Sequence, residues 1–144
     1  MHMARQYGVD KRVQFIRADV RDIGKYLSEP PGVVEMIGLC EYLHDDQITK
    51  IVRAAAKLMP ADAPIIFNSV YPSHGADRFL TRVFGLRMIY RTTQEICRLM
   101  QQAGFSEFQT YSEPMGVYEV NIGKKTGIDN NLQRELLTEA IEVG

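Results

Sequence analysis

Apolar and polar positions along the chain switch between two periods. Residues 13–18 (VQFIRA) place Val13, Phe15 and Ile16 in a strand-like run, and 33–40 (VVEMIGLC) form an almost continuous apolar run suited to a buried strand. Between them, a short helix or turn over 22–28 leads to the breaker Glu29-Pro30-Pro31-Gly32. From Asp45 the period becomes helical: Ile48, Ile51, Val52, Ala55, Leu58 and Met59 recur on one stripe, Asp45 or Asp46 can cap the start, and Pro60 stops it. Residues 63–70 (APIIFNSV) predict a third strand, and 74–90, where apolar residues mix with Arg78, Arg82 and Arg87, predict one helix plus a loop.

The second half is more sharply punctuated. Thr92 and Glu95 make a capping-box pattern ahead of Ile96, Leu99, Met100 and Ala103, and Gly104 supplies the stop. Strands over 105–112 and 117–124 flank Glu113-Pro114-Met115-Gly116, a connection short enough for a hairpin. An amphipathic helix over 130–141, with Leu132, Leu136, Leu137 and Ala140, follows. At the other end, Met1-His2-Met3 has the look of a cloning remnant, and Ala4 to Gly8 reads as the last turn of a helix closed by Gly8. The element order predicts an α/β domain over 4–125, its sheet mostly parallel with an antiparallel C-terminal hairpin and helices on both faces, and a C-terminal helical extension over 126–144.

Composition narrows the function classes. The 144 residues are 45% hydrophobic and 24% charged, the balance of one ordinary globular domain. A formal net charge of -1 argues against a chain built to coat nucleic acid. No apolar run approaches the roughly 18 residues of a membrane span, so a cytosolic protein is expected. Cys40 and Cys97 lack a partner at metal-ligand spacing; two reduced, largely buried thiols and no metal site are expected.

Ligands of a parallel sheet bind where the strands end at their carboxyl side, which selects Asp19-Val20, Leu39-Cys40-Glu41 and the stretch from Asn68 to His74. A carboxylate at Asp19 can accept an exocyclic amine N–H while the Val20 N–H donates to a ring nitrogen, a match for the edge of adenine. The same carboxylate can instead cap the turn that follows it. His74 titrates near neutrality and is the candidate base of this region, set against a plain loop histidine beside Gly75. His44, next to two aspartates, reads as a helix-start residue rather than a ligand. Arg78, Arg82, Arg87 and Arg91, interleaved with Phe79, Val83, Phe84, Ile89 and Tyr90, raise a basic amphipathic surface for an anionic acceptor or a lipid interface, against a helix packed on the sheet with solvated arginines.

Taken in order, FIRADVRD, GLCEYLHDD, PIIFNSVYP and YRTTQEICRLMQQAGF before a terminal hairpin resemble the C-terminal half of a class I S-adenosylmethionine-dependent methyltransferase of Rossmann-like fold. The resemblance covers roughly residues 5 to 125. It implies S-adenosylmethionine as cofactor, with Asp19 accepting the adenine amino group, Val20 adding a backbone contact, and Asp22 left as the local cap. Gly38, Leu39 and Cys40 would set backbone groups beside the methionine part, with Glu41, Tyr42 and Leu43 near the entrance. Tyr71, His74 and Arg78 would fall in the region covering a small-molecule or lipid-like acceptor. Methyl transfer is an in-line displacement that needs alignment and, for a protonated acceptor, a base.

The family's glycine-rich loop and the acid that holds the ribose have no counterpart in the sequence. The resemblance therefore implies a domain whose central strands are absent, inactive by itself, with two readings of its role: part of a methyltransferase, or a non-catalytic module derived from one. The strand Val33 to Leu39 is then expected to expose an edge and either to dimerise through it or to pair directly with Val13 to Ala18.

Overall fold

The computed structural model describes residues 2–71 and 76–126. Four strands, β1 (Val34–Met36), β2 (Pro64–Val70), β3 (Phe105–Ser112) and β4 (Tyr118–Lys125), form one sheet in the order β1-β2-β4-β3. β1 and β2 run parallel, and the crossover this requires carries α2 (Asp45–Leu58). β4 is antiparallel to both β2 and β3, so the C-terminal hairpin inserts its second strand next to β2. The α/β class and the antiparallel end are those the residue pattern predicts; the expected parallel majority is not seen among the described strands, where β1–β2 alone pairs in parallel because β4 inserts beside β2. Helices α1 (His2–Gln6), α3 (Ala76–Phe84) and α4 (Thr93–Gln102) and three 3₁₀ turns, Asp10–Arg12, Val20–Lys25 and Cys40–Tyr42, complete the described elements.

The core lies where α2 and α4 meet the sheet. Ile48 and Val52 of α2, Ile96 and Met100 of α4, and Ile65, Phe67 and Phe105 of the strands are almost fully buried. α4 begins as its sequence requires: Thr92 Oγ1 accepts the Glu95 N–H, and the Glu95 carboxylate accepts the Thr92 N–H at 2.8 Å. Gly104, at φ +95°, lets the chain leave the helix into β3. Between Ser106 and Gln109 the ladder with β4 is bulged, so that Glu107 and Phe108 stand opposite Gly123. Phe108 reaches across Gly123 to meet Phe67 edge-on, ring centroids 6.0 Å apart.

Four local expectations are corrected. Residues 13–17 form no strand, and neither they nor Ala18 pair with β1; Phe15 is 72% exposed. An extended segment becomes a strand only when a neighbour satisfies its backbone, and no described strand lies beside it. β1 holds three residues of the predicted eight because Gly38, at φ +73°, turns the chain out of the sheet and Cys40–Tyr42 winds into a 3₁₀ turn. α2 is capped by His44, not by Asp45 or Asp46: Gln47 Oε1 accepts the His44 N–H at 2.9 Å, and Asp45 is engaged by Arg91. Finally, α3 does not pack broadly on the sheet; Phe79, Val83 and Phe84 are solvent-exposed. The helix expected over 130–141 lies outside the described residues. Among the described residues no helix is long and apolar enough to cross a membrane.

Candidate functional site

The carboxyl ends of β1 and β2 are organised by a residue that the sequence groups with the arginines of a basic surface. Arg91 is only 8% exposed, and its guanidinium donates to the Cys40 carbonyl at 2.8 Å, the Leu43 carbonyl at 2.7 Å and Asp45 Oδ1 at 2.7 and 2.9 Å. One planar fork thereby ties the turn after β1 to the start of α2. The segment ahead of it is anchored to the same turn, the Ile89 N–H donating to the Glu41 carbonyl at 2.7 Å, and Arg91 itself bridges to Val70 at the end of β2. Arg91 is thus a buried clamp and not a member of a solvated basic surface.

Asn68 completes the clamp from β2. Its Oδ1 accepts the Gly38 N–H at 2.8 Å and its Nδ2 donates to the buried Glu41 carboxylate at 3.4 Å. The candidate residues Gly38, Leu39, Cys40 and Glu41 are therefore brought together, with much of their polar capacity used internally. The Leu39 carbonyl accepts the Tyr42 N–H at 3.1 Å. Glu41 is buried under the turn, away from any entrance, while Tyr42 is exposed. Burial pushes the Cys40 thiol up to about 11, further raised by the neighbouring Glu41, so the thiol stays protonated at neutral pH. The void behind Arg91 measures about 10 Å³, room for one water and no ligand.

A second feature lies on the other side of Leu43. There a cleft of about 350 Å³ is lined by Asp19, Val20 and Arg21 from one wall and Leu43, Asp46, Gln47, Lys50 and Ile51 from the other. Asp19 caps the 3₁₀ turn Val20–Lys25: Oδ1 accepts the Arg21 N–H and Nε–H, each at 2.9 Å, and Oδ2 accepts from Nη2 at 2.5 Å. This grip of Arg21 holds the Asp19 carboxyl far below the usual carboxylate range. Asp22, expected as the local cap, instead pairs with Lys25 at 2.8 Å. Leu43 joins the two features, lining the cleft while its carbonyl is held by Arg91.

The adenine end of S-adenosylmethionine fits this arrangement in outline. An ionised carboxylate offers about four lone-pair positions and Arg21 occupies three, leaving one on Oδ2 for an amino N–H. Val20 opens the turn, where an N–H has no partner inside the turn. At Gly38 no atom beyond the neighbouring residues of the chain lies within 4 Å of where a Cβ would stand, which leaves room for a ligand at the backbone. The sequence contains no GxGxG run.

Tyr71, placed by the sequence at an acceptor, sits instead in a polar network around Glu119. The Glu119 carboxylate accepts from Tyr71 OH at 3.0 Å, Ser112 Oγ at 2.8 Å and Thr93 Oγ1, while Tyr71 OH accepts the Thr93 N–H at 2.9 Å. Ser69 and the fully buried Asn121 extend the network. The Thr93 hydroxyl, above all, lowers the Glu119 pKa from its ordinary 4.5. A folded-state pKa below the unfolded one contributes stability that is fully present above pH about 4.5 and is lost as pH falls through the lower, folded value. Glu119→Gln should therefore flatten the acid limb of a thermal-stability profile below the ordinary value of 4.5, where the wild type declines. An unchanged acid limb would show that Glu119 has no part in it. Arg78 is exposed on α3, and His74 lies outside the described residues.

No family model matches the sequence, and no curated protein matches it. Solved structures do match in fold. An O-methyltransferase family protein from Burkholderia thailandensis aligns at TM-score 0.68 and 17% identity, over 89% of this chain and 40% of that one. A protein described as a possible exported protein from Bordetella parapertussis aligns at 0.66 and 15%, over 88% and 48%. Human N-acetylserotonin methyltransferase, solved in complex with S-adenosylmethionine, aligns at 0.56 and 13%, over 84% and 38%. The chain spans less than half the length of each of these proteins. At such identities the likeness is one of fold, and the fold is methyltransferase-like.

Proposed function

We propose that this polypeptide is the C-terminal portion of an S-adenosylmethionine-dependent methyltransferase that acts on a small-molecule or lipid-like acceptor. The observation that carries this reading is the meeting of Asp19-Val20 and Leu43 on one cleft, Leu43 lying three residues past the Gly38 to Cys40 turn that follows β1, a strand parallel to β2. Asp19 and Val20 would hold the adenine edge, and the Gly38 to Cys40 turn, fixed by Arg91 and Asn68, would border the methionine part. When bound, the cofactor supplies an electrophilic methyl group. This chain's contribution is to orient the adenine end and to keep the turn after β1 rigid. The outer edge of β1 has no strand partner among the described residues, and Val33 and Ile37 beside it are exposed, which supports closure of the sheet by a strand from another polypeptide or a second copy.

A non-catalytic role is favoured by one observation, the three hydrogen bonds by which Arg21 occupies Asp19. Calorimetric titration with S-adenosylhomocysteine separates the two. Saturable binding at about millimolar strength or tighter, weakened roughly tenfold by Asp19→Ala, is expected of a cofactor wall. No heat at that concentration would leave only the shared fold.

A further inference from the structure

α3 presents a surface that the cofactor reading leaves unused. Its large apolar side chains face solvent: Phe79 is 57%, Val83 59% and Phe84 62% exposed, and the two phenylalanine rings pack edge-to-face on each other, centroids 5.7 Å apart, outside the core. Leu86, just past the helix, is also exposed. At helical spacing Phe79, Leu80, Val83 and Phe84 share one arc, and Arg78 and Arg82 fall together on the flank beside Phe79 and Val83. Arg78, Arg82 and Arg87 are all exposed, and Asp77 is the sole acid of the helix. In water such an arc costs hydrophobic free energy unless something covers it.

We propose that α3 docks on an anionic lipid bilayer, its phenylalanines and valine entering the headgroup boundary while Arg78, Arg82 and Arg87 meet lipid phosphates and carboxylates. An apolar arc edged by cations is the pattern of a helix that lies in a membrane interface. A second copy of the chain fits the surface less well, because a two-fold contact through α3 would set these arginines against their own symmetry mates. Over the whole chain the formal charge is only -1, so the attraction is local to this helix. α3 follows the carboxyl end of β2, the end that holds the Arg91 clamp, so docking would bring a lipid-dissolved acceptor toward that side of the sheet.

Cosedimentation of the full chain with vesicles tests the proposal independently of any cofactor. Binding to phosphatidylcholine vesicles containing about 30% phosphatidylserine should exceed binding to phosphatidylcholine alone by at least roughly tenfold, and should collapse when salt is raised to about 0.5 M. The triple variant Phe79→Ser, Val83→Ser, Phe84→Ser and the double variant Arg78→Glu, Arg82→Glu should each lose most of that binding. All five positions are exposed, so circular dichroism should report the wild-type fold for both variants. Equal binding to neutral and anionic vesicles, no binding by the wild type, or undiminished binding by the arginine variant would overturn the proposal. So would a solution dimer that the triple variant abolishes, since the arc would then be covered by a second copy.

Discussion

Replacing Arg91 with alanine is expected to lower the free energy of unfolding by about 3 kcal/mol, read as an earlier midpoint in a urea titration at unchanged slope. The magnitude follows from which partners are stranded. Asp45 is largely exposed and loses little when its partner goes, as exposed ion pairs usually contribute under about 1 kcal/mol. The Cys40 and Leu43 carbonyls are different: they lie in buried and half-buried surroundings, accept from a charged donor, and cannot be rehydrated without opening the turn. Hydrogen bonds to charged groups contribute about 1.5–3 kcal/mol, and an acceptor left unsatisfied in the interior costs as much again in desolvation. Lysine keeps the charge but not the fork, so Arg91→Lys should recover about half of the loss. A loss below about 1 kcal/mol for Arg91→Ala would mean that the turn after β1 stands without its clamp.

The second large effect is expected at Gly123, where alanine should cost about 2–3 kcal/mol. A Cβ there would stand 2.4 Å from Phe108 Cε1 and 2.7 Å from Cδ1, inside any tolerable contact. Phe108 cannot simply swing aside, because it packs edge-on to the fully buried Phe67 across the bulge. The double variant Gly123→Ala, Phe108→Leu should therefore cost less than the two single changes added together, with a coupling of about 1 kcal/mol in a mutant cycle. Strict additivity would show that the glycine is not there to make room for the ring.

These two residues mark the limit of what the chain discloses as a sequence. Thr92, Glu95 and Gly104 announced α4 because capping is settled within a few residues, and APIIFNSV announced β2 because a buried central strand must be apolar along its length. The run 13–18 misled because strand formation is non-local: Val13, Phe15 and Ile16 carry the right residues, and the pattern cannot say whether a neighbour will be there. β1 is shorter than its apolar run predicts for a related reason: Gly38 continues the run in sequence while its positive φ ends the strand. Arg91 sat in a run of similar arginines, and burial of a guanidinium depends on carbonyls contributed by a turn about 50 residues earlier, which no local period records. For Asp19 the residues offer two roles, turn cap and acceptor for the adenine edge; the structure shows the cap, and its partner Arg21, two residues away, gives no periodic signal in the sequence. Likewise Glu107 gave no glycine-like signal for its φ of +53°, which the bulge imposes.

The proposal that Asp19 and Val20 line a cofactor cleft, with the Gly38 to Cys40 turn bordering the far end of the ligand, can be checked by amide chemical-shift mapping of the labelled chain during titration with S-adenosylhomocysteine. Saturable shifts concentrated at Asp19, Val20, Arg21, Gly38 and Leu43 are expected, largely lost in Asp19→Ala while the α4 and β3 signals stay in place. Shifts scattered over the surface, or none up to a concentration of about 5 mM, would contradict it.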